Sequence, residues 1–184
     1  VSGGNKNSSY RASAFYKEIN PIALQSNQKS WGARFSLIQT AFDDKLNLQL
    51  GVSTNFRKRN LVGSNNAFEQ AAQRNPTQPI KDEEGNWIDD QGAFDSYNPL
   101  ADYATRTDYV DRTTFLLSGR AAYSIIDGLT VATMASWQQY SDLRRQYYMS
   151  DSKYSRDFFD GAGRAQKWQS QDITKTIETT LEYT

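Results

Sequence analysis

Carboxylates close together in this 184-residue chain are the first residues that could carry out chemistry. A loop rich in acids can bind calcium, which takes several oxygen ligands. The acids are Asp82, Glu83, Glu84, Asp89 and Asp90. Their spacing lacks the alternating acids and the terminal Glu of an EF-hand loop. We therefore interpret the cluster as a solvated loop and predict no metal site.

A pair of carboxylates near the end of the chain could suggest glycoside hydrolysis. Glu178 and Glu182 share one face if they lie in a strand. A strand rises about 3.3 Å per residue, so the two carboxylates would be about 13 Å apart, which is too far for a glycosidase pair. We interpret them as polar residues that line a lumen, and we predict no catalytic residue.

The segment Gly161-Ala162-Gly163 resembles part of a phosphate-binding loop. It lacks the Lys and the strand-to-helix context that such a loop needs, so we interpret it as a flexible loop. The chain has no Cys and no His, which excludes zinc sites built from these residues, thiol chemistry and His-based triads within it. We predict no cofactor.

The elements that must position any site are visible as alternation of apolar and polar residues. The clearest example runs from Leu46 to Arg57, with Leu, Val, Thr and Phe at the even positions. Successive strand side chains point to opposite faces, so one face of this strand is apolar and the other is polar. Its length of about 40 Å, tilted by about 40°, spans about 30 Å, the thickness of a bilayer's hydrocarbon core.

The same alternation predicts six long strands, at about 10–17, 31–42, 45–57, 109–126, 129–140 and 168–184. Asp43-Asp44 and Asp127-Gly128 are turn residues between adjacent strands and predict two hairpins. Long connections at about 58–108 and 141–167 separate other strands, and residues 66–74 in the first of these have the pattern of a short helix.

The order of the connections predicts the fold. Alternate connections of an antiparallel sheet lie at the same end, so both short turns share one end and the long loops share the other. Outer-membrane barrels have this asymmetry, with short periplasmic turns and long extracellular loops. The sequence therefore predicts an all-β fold, namely an antiparallel up-and-down transmembrane β-barrel segment. Six strands do not close such a barrel, so we expect an internal piece of a longer chain that is incomplete on its own.

Composition leaves one alternative open and excludes one class of partner. Hydrophobic residues make up 38% of the chain and aromatic residues 13%, which suits strands with one apolar face. Such strands also occur in a soluble secreted β-sandwich, and a carbohydrate-binding module of that kind is the alternative. Its strands would ordinarily have about five or six residues, fewer than the alternation here. The net charge is zero and no block of basic residues occurs, so we predict that the chain does not bind nucleic acid.

Several stretches, in a fixed order along the chain, resemble the SusC/RagA-type TonB-dependent outer-membrane transporters. They are YRAS at 10–13, FDDKLNL at 42–48, RNPTQPI at 74–80, DEEGNW at 82–87, YNPLA at 97–101, DGLT at 127–130 and ETTLEYT at 178–184. Each stretch alone is a weak signal. Together they cover nearly the whole chain and resemble the middle of the barrel.

The resemblance implies uptake of oligosaccharides or peptides across the cell outer membrane, with the loops extracellular, and not an enzyme. It implies a SusD-like surface lipoprotein as partner, outer-membrane lipid around the barrel, and a TonB complex that acts through a plug domain. None of the plug or of the TonB-interacting region falls within these 184 residues.

Aromatic residues in the long loops are candidates for ligand binding, because an apolar ring with a polar edge suits stacking on sugars or peptide side chains. The candidate ligand-binding residues are Trp87, Tyr97, Tyr103, Tyr147 and Tyr148, with Arg57 and Arg120 on polar strand faces. The alternative is that the aromatics pack the loops together or against the partner lipoprotein. Trp31 and Trp137 lie at the predicted loop ends of their strands, so we expect them in an interfacial girdle.

Overall fold

One antiparallel sheet of seven strands forms the body of the protein. The structure, a computed structural model, describes residues 1–61, 67–88 and 98–184. The strands are β1 (Ser2–Gly4), β2 (Ser8–Ile19), β3 (Gln28–Ala41), β4 (Leu46–Asn60), β5 (Arg106–Ile126), β6 (Leu129–Tyr148) and β7 (Arg164–Tyr183). Within the described ranges, three short helices lie in the connections: α1 (Ala67–Gln73), α2 (Pro99–Thr105) and α3 (Lys153–Phe159). The predicted all-β fold is confirmed.

The sheet is open, with β1 and β7 at its two edges and every strand beside its sequence neighbours. This is the up-and-down arrangement of an incomplete barrel, as the sequence predicts. A β-sandwich needs two facing sheets, and all seven strands of the described residues belong to one sheet. The structure therefore does not support the sandwich alternative. Within the described ranges, no helix is long and apolar enough to span a bilayer.

Strand register assembles the apolar residues into shared rows across the sheet. One such row contains Phe35, Val52, Leu117 and Trp137, each directly opposite the next. Nothing covers this apolar face within the described residues, and Ile177 at its β7 edge is 78% exposed. An uncovered apolar face of this extent marks a surface that contacts lipid or another protein. We call it the apolar face and the opposite side the polar face.

Short and long connections lie at opposite ends of the sheet. The short turns are 5–7, 42–45 and 127–128, and the long connections are 20–27, 61–105 and 149–163. The first turn and β1 are absent from the six-strand prediction, because Ser2-Gly3-Gly4 has no alternation. The Tyr10 ring covers Gly3, since a Cβ there would lie 2.8 Å from the Tyr10 hydroxyl oxygen.

Both predicted hairpins are present, and one of them is longer than predicted. Ile126 pairs with Leu129, so Asp127-Gly128 is a two-residue turn, with φ +84° at Gly128. The other turn contains four residues, because Ala41 pairs with Leu46. Three of the four, Phe42, Asp43 and Asp44, have positive φ.

Most strands are longer than the alternation predicts. β6 continues to Tyr148 rather than to 140, and β7 begins at Arg164 rather than at 168, so the loop predicted at 141–167 shrinks to 149–163. The missed part of β6 carries polar residues on both faces, such as Asp142 on one and Arg145 on the other, yet it stays paired, with Asp142 opposite Arg112. A strand that is solvated on both faces has no hydrophobic period, which explains the error. Because β6 is longer than predicted, Trp137 lies well inside its strand. Of the two tryptophans predicted at loop ends, Trp31 is the one that lies near a loop end.

Candidate functional site

The polar face carries a group of charged residues at its loop end, where β5 and β6 run side by side. We call this group the polar-face cluster. Its members are Arg106, Asp108, Arg112, Asp142 and Arg144. They occupy even positions of paired antiparallel strands, so their side chains share one face.

Asp108 is the centre of the polar-face cluster, and its side chain is completely buried. Its carboxylate accepts hydrogen bonds from Arg144 Nε at 2.8 Å and Arg144 Nη2 at 2.6 Å, and from Gln146 Nε2 at 3.0 Å. Arg106 Nη2 lies 3.4 Å from the same carboxylate. A bidentate arginine pair fixes orientation as well as charge. Asp108 therefore holds β5, β6 and the end of α2 together.

The rest of the polar-face cluster consists of a second ion pair and stacked rings. Arg112 Nη2 lies 2.7 Å from Asp142 Oδ2, and the Arg112 guanidinium stacks 4.9 Å above the Tyr140 ring. The Arg144 guanidinium stacks 5.4 Å above the ring of Trp168 on β7. The loop end of the polar face is therefore a hydrogen-bonded wall of mixed charge, suited to contact a hydrophilic solute along its surface.

Tyr147 and Tyr148 are strand residues rather than the loop residues that the sequence predicts. They are neighbours in β6 and so lie on opposite faces of the sheet. Tyr148 lies on the polar face, and the centre of its ring is 4.4 Å from that of Tyr154 in α3. The Arg106 guanidinium lies 5.4 Å from the centre of the Tyr148 ring. Tyr147 lies on the apolar side. The two tyrosines cannot belong to one ligand site.

Arg57 and Arg120 both lie on the polar face, at different heights. Arg57 is opposite Arg112 beside the polar-face cluster, whereas Arg120 is opposite Gln49, eight residues back along β4. Eight strand residues correspond to about 26 Å, so a small ligand cannot touch both arginines. The structure thus separates two residues that the sequence analysis grouped.

The loop aromatics also differ in their surroundings. Trp87 closes a small hairpin by pairing with Lys81, whose Nζ lies 4.3 Å from its ring centre. Tyr103 in α2 is only 8% exposed, which leaves little surface for a ligand. Burial raises the pKa of the Tyr103 hydroxyl. Desolvation of the neighbouring Asp102 carboxyl raises its pKa as well, although Arg106 at 3.2 Å opposes that shift. Tyr97 lies outside the described residues.

Asn98 organises the long connection between β4 and β5, and it is 1% exposed. Its Oδ1 accepts from the backbone N–H groups of Leu100 at 3.1 Å and Ala101 at 3.4 Å, which caps α2. Its Nδ2 donates to the carbonyls of Ile80 at 3.1 Å and Ile88 at 3.0 Å. The sequence analysis did not single out Asn98, although Asn followed by Pro is the signature of a capped helix start.

A set of exposed apolar side chains surrounds this connection at the loop end, and we call it the loop platform. Its members are Ile22, Leu24, Phe68, Ile80 and Leu100. They border a cleft of about 370 Å³, which Tyr103 also lines. Ile22 is 97% exposed and Phe68 62% exposed, although both are apolar. Exposed apolar patches of this kind occur where a protein contacts another protein, a membrane or a ligand.

The remaining sequence candidates have structural roles. Asp82 accepts hydrogen bonds from Asn86 N at 2.7 Å and Asn86 Nδ2 at 3.0 Å, which lower its pKa. Asp89 and Asp90 lie outside the described residues, and elsewhere no three acids converge as metal ligands would. Gly161 and Gly163 have positive φ and donate from their N–H groups to Ser155, so the segment is the ordered end of α3 and not a flexible loop.

Replacing Asn98 by Ala is expected to loosen the long connection without affecting the barrel strands. The change removes a helix cap, worth about 1 kcal/mol, and two side-chain hydrogen bonds of about 1 kcal/mol each. The Ile80 and Ile88 carbonyls keep their bonds from Ile88 N and Arg74 Nη2, but they lose their link to α2. Limited proteolysis of the whole protein should cut within 67–88 at least tenfold faster. Asn75→Ala is the control, because the Asn75 side chain bonds only to exposed Thr77 among the described residues. Equal cleavage of the two variants would contradict the role of Asn98.

Solved structures share this fold, while no family model and no curated protein matches the chain. A chain of the RagAB peptide transporter is 20% identical, with a TM-score of 0.75 over 99% of this chain and 21% of that chain. The RagAB peptide importer in its open-open state gives 20% identity and a TM-score of 0.72, with the same coverage. The ferric-catecholate import receptor Fiu from E. coli K12, in its open form, is 12% identical, with a TM-score of 0.55 over 97% of this chain and 27% of that one.

These similarities concern the fold. The chain spans about 21% of the length of the RagAB chains that it matches. The predicted resemblance to SusC/RagA-type barrels is confirmed at this level, because the whole described sheet superposes on part of such a chain.

Proposed function

We propose that this chain, which has the fold of a segment of a RagAB transporter chain, is part of a TonB-dependent importer in the outer membrane. The observation that carries the proposal is the two-sided sheet. One face is apolar and uncovered, the other is polar, and all long connections lie at one end. In lipid, backbone polar groups must be paired within the protein, and a closed barrel of such strands meets that requirement.

In this proposal the apolar face contacts lipid, and the polar face lines a lumen with the long connections outside the cell. The lumen wall carries both signs of charge, from Arg34, Arg57, Arg120 and Glu178. Such a wall lets a hydrophilic solute pass without forming or breaking bonds, so the role is passage and not catalysis. Release into the periplasm would depend on a plug and on TonB, which act outside these residues.

The substrate class is peptides or oligosaccharides. The likeness to a peptide transporter favours peptides. Arg57, Arg120, Tyr148 and Trp87 are the residues of the described part that we propose to meet the solute, and Tyr97 remains a further candidate. Tyr103 and Tyr147 are poorer candidates, because one is buried and the other lies on the apolar side.

The partner in this proposal is a SusD-like surface lipoprotein, which would cover the loop end. The loop platform supports this, because apolar side chains held at the outer end of a barrel meet water unless a partner covers them. Burying a fully exposed Leu or Ile contributes about 1.5–3 kcal/mol, so a few such residues stabilise a complex considerably.

The double variant Ile22→Ser/Leu24→Ser tests the proposal. The whole protein should stay in the outer membrane but retain at least about tenfold less of its lipoprotein on co-purification, because two apolar contacts are lost. Uptake of labelled peptides into intact cells should fall in parallel, and it should require TonB. Phe42→Ser is the matched control, since Phe42 is 70% exposed in a turn at the opposite end. Unchanged lipoprotein retention, or uptake that does not need TonB, would contradict the proposal.

A further inference from the structure

A cleft of about 700 Å³ opens at the loop end of the sheet, lined largely by residues in register with the apolar face. Four cations in register with the apolar face border it, namely Lys29 of β3, Lys58 of β4, Arg145 of β6 and Lys167 of β7. Arg59, the neighbour of Lys58 in β4, also lines it. The rings of Tyr109 and Tyr147 line the same cleft, and each is 45% exposed. Asp111 is the acid among the described residues that line it.

Strand register places these cations in like-charged pairs. Lys29 is directly opposite Lys58, and Arg145 is directly opposite Lys167. Like charges directly opposite each other in antiparallel strands are destabilising, so a bound anion would relieve the repulsion.

The carboxylates of the described residues neutralise only part of the positive charge around the cleft. Arg145 pairs with Asp111, and Lys29 lies 3.4 Å from Glu18. Neither Lys58 nor Lys167 has a carboxylate within 4 Å in the described ranges. Both side chains are exposed. Lys58 is directly opposite Asp111 in the register, and its Nζ lies 5.9 Å from the centre of the Trp31 ring. The ring carries no charge and Asp111 pairs with Arg145, so the positive charges of Lys58 and Lys167 can still interact with an anionic ligand.

The height of the cleft matches the edge of a lipid bilayer. The apolar rows of β3 and β4 run from Ala41 and Leu46 to Trp31 and Phe56, whose rings stack at 5.8 Å. The ten residues between the two ends of each row cover about 33 Å of strand. A tilt of about 40° reduces this length to about 25 Å across the membrane, the height of the apolar band of an outer-membrane barrel. The two lysines, 29 and 58, occupy the next row toward the loops, at the level of the headgroups.

We propose that this cleft binds the phosphate of a lipid headgroup in the outer leaflet. Lys58 and Lys167 supply charge to the phosphate oxygens, and the hydroxyls of Tyr109 and Tyr147 can donate hydrogen bonds while their rings lie against the lipid. A solute in the lumen cannot reach the cleft, because the sheet separates them. The inference rests on the proposed outer-membrane location.

The test compares two double variants of the whole protein, purified in mild detergent. Lys58→Gln/Lys167→Gln removes the two cations of the cleft, and Lys6→Gln/Lys81→Gln removes two lysines elsewhere. Native mass spectrometry then measures the phosphorylated lipid that each retains. A cation near the membrane surface changes anionic lipid binding about fivefold, so the cleft variant should retain about thirtyfold less and the control should match wild type. Equal retention by both variants would overturn the inference.

A second measurement separates a lipid site from a site for any anion. Phosphatidic acid added to the micelles should raise the unfolding temperature of the wild-type protein but not of the cleft variant. Inorganic phosphate and a phosphate-free glycolipid should have no such effect. Protection by inorganic phosphate equal to that by phosphatidic acid would overturn the lipid assignment. A whole protein that does not fractionate with outer membranes overturns the location too, whereas unchanged lipid retention in a membrane-located protein overturns this inference alone.

Discussion

Replacing Asp108 by Ala is expected to open the loop end of the sheet, whereas replacing Asp111 by Ala should leave it nearly unchanged. Both carboxylates lie on β5 and pair with an arginine of β6, Arg144 or Arg145. They differ in burial, since the Asp108 side chain is 0% exposed and that of Asp111 is 29% exposed. Removing one partner of a fully buried ion pair costs about 3–5 kcal/mol, while an exposed pair is worth about 0–1 kcal/mol. Arg144 is 42% exposed, so water can solvate it once Asp108 is gone, and we place the cost at the lower end, about 3 kcal/mol.

Hydrogen exchange of the whole protein measures this difference directly. Amides of α2 and of the loop ends of β5 and β6 should exchange at least about a hundredfold faster in Asp108→Ala, because local opening becomes easier by several kcal/mol. Asp108→Asn keeps one acceptor but loses the charge, so its exchange should be intermediate. The turn end of the sheet should be unaffected in every variant. Equal exchange in the Asp108 and Asp111 variants would show that the buried carboxylate does not hold the loop end.

The strands that cross the apolar rows could be predicted from the sequence, and their ends could not. Leu46 to Phe56 alternates because one side of β4 is apolar and the other is solvated, which gives a period of two. Beyond the apolar rows, charged residues occupy both faces, as Asp142 and Arg145 of β6 do, while the backbone pairing continues. Hydrophobic patterning detects burial and contact with lipid, and it does not detect hydrogen-bonded ladders.

The loop-end site was less predictable, since its main contacts join residues that are far apart in sequence. Asp108 meets Arg144 across 36 positions, and Asn98 meets Ile80 across 18. No local pattern encodes such pairs, although Asn followed by Pro, as at the start of α2, is typical of a capped helix. The sequence predicts a loop at Tyr147 and Tyr148, which would allow both rings to reach one ligand. Their position in a strand puts them on opposite faces, which only the register reveals.

The second large effect is expected in the lipid quenching of fluorescent labels placed on the two faces of β4. The chain has no cysteine of its own, so single cysteines can carry a fluorescent label in the whole protein once other cysteines are removed. Leu48→Cys and Leu50→Cys report on the apolar face, and Gln49→Cys and Ser53→Cys report on the polar face. All four positions lie among the apolar rows of the strand. The four labels therefore lie within six consecutive residues of one strand, inside the apolar rows, and differ mainly in the face that they occupy.

Quenching by lipids with brominated acyl chains, in the reconstituted protein, tests most directly whether the apolar face contacts a membrane. Labels at positions 48 and 50 should be strongly quenched, because only the apolar face would touch acyl chains. Labels at positions 49 and 53 should stay bright, because the lumen holds water and protein instead of lipid. Equal quenching at all four positions, or none at 48 and 50, would contradict the assignment of this sheet to the wall of a membrane barrel.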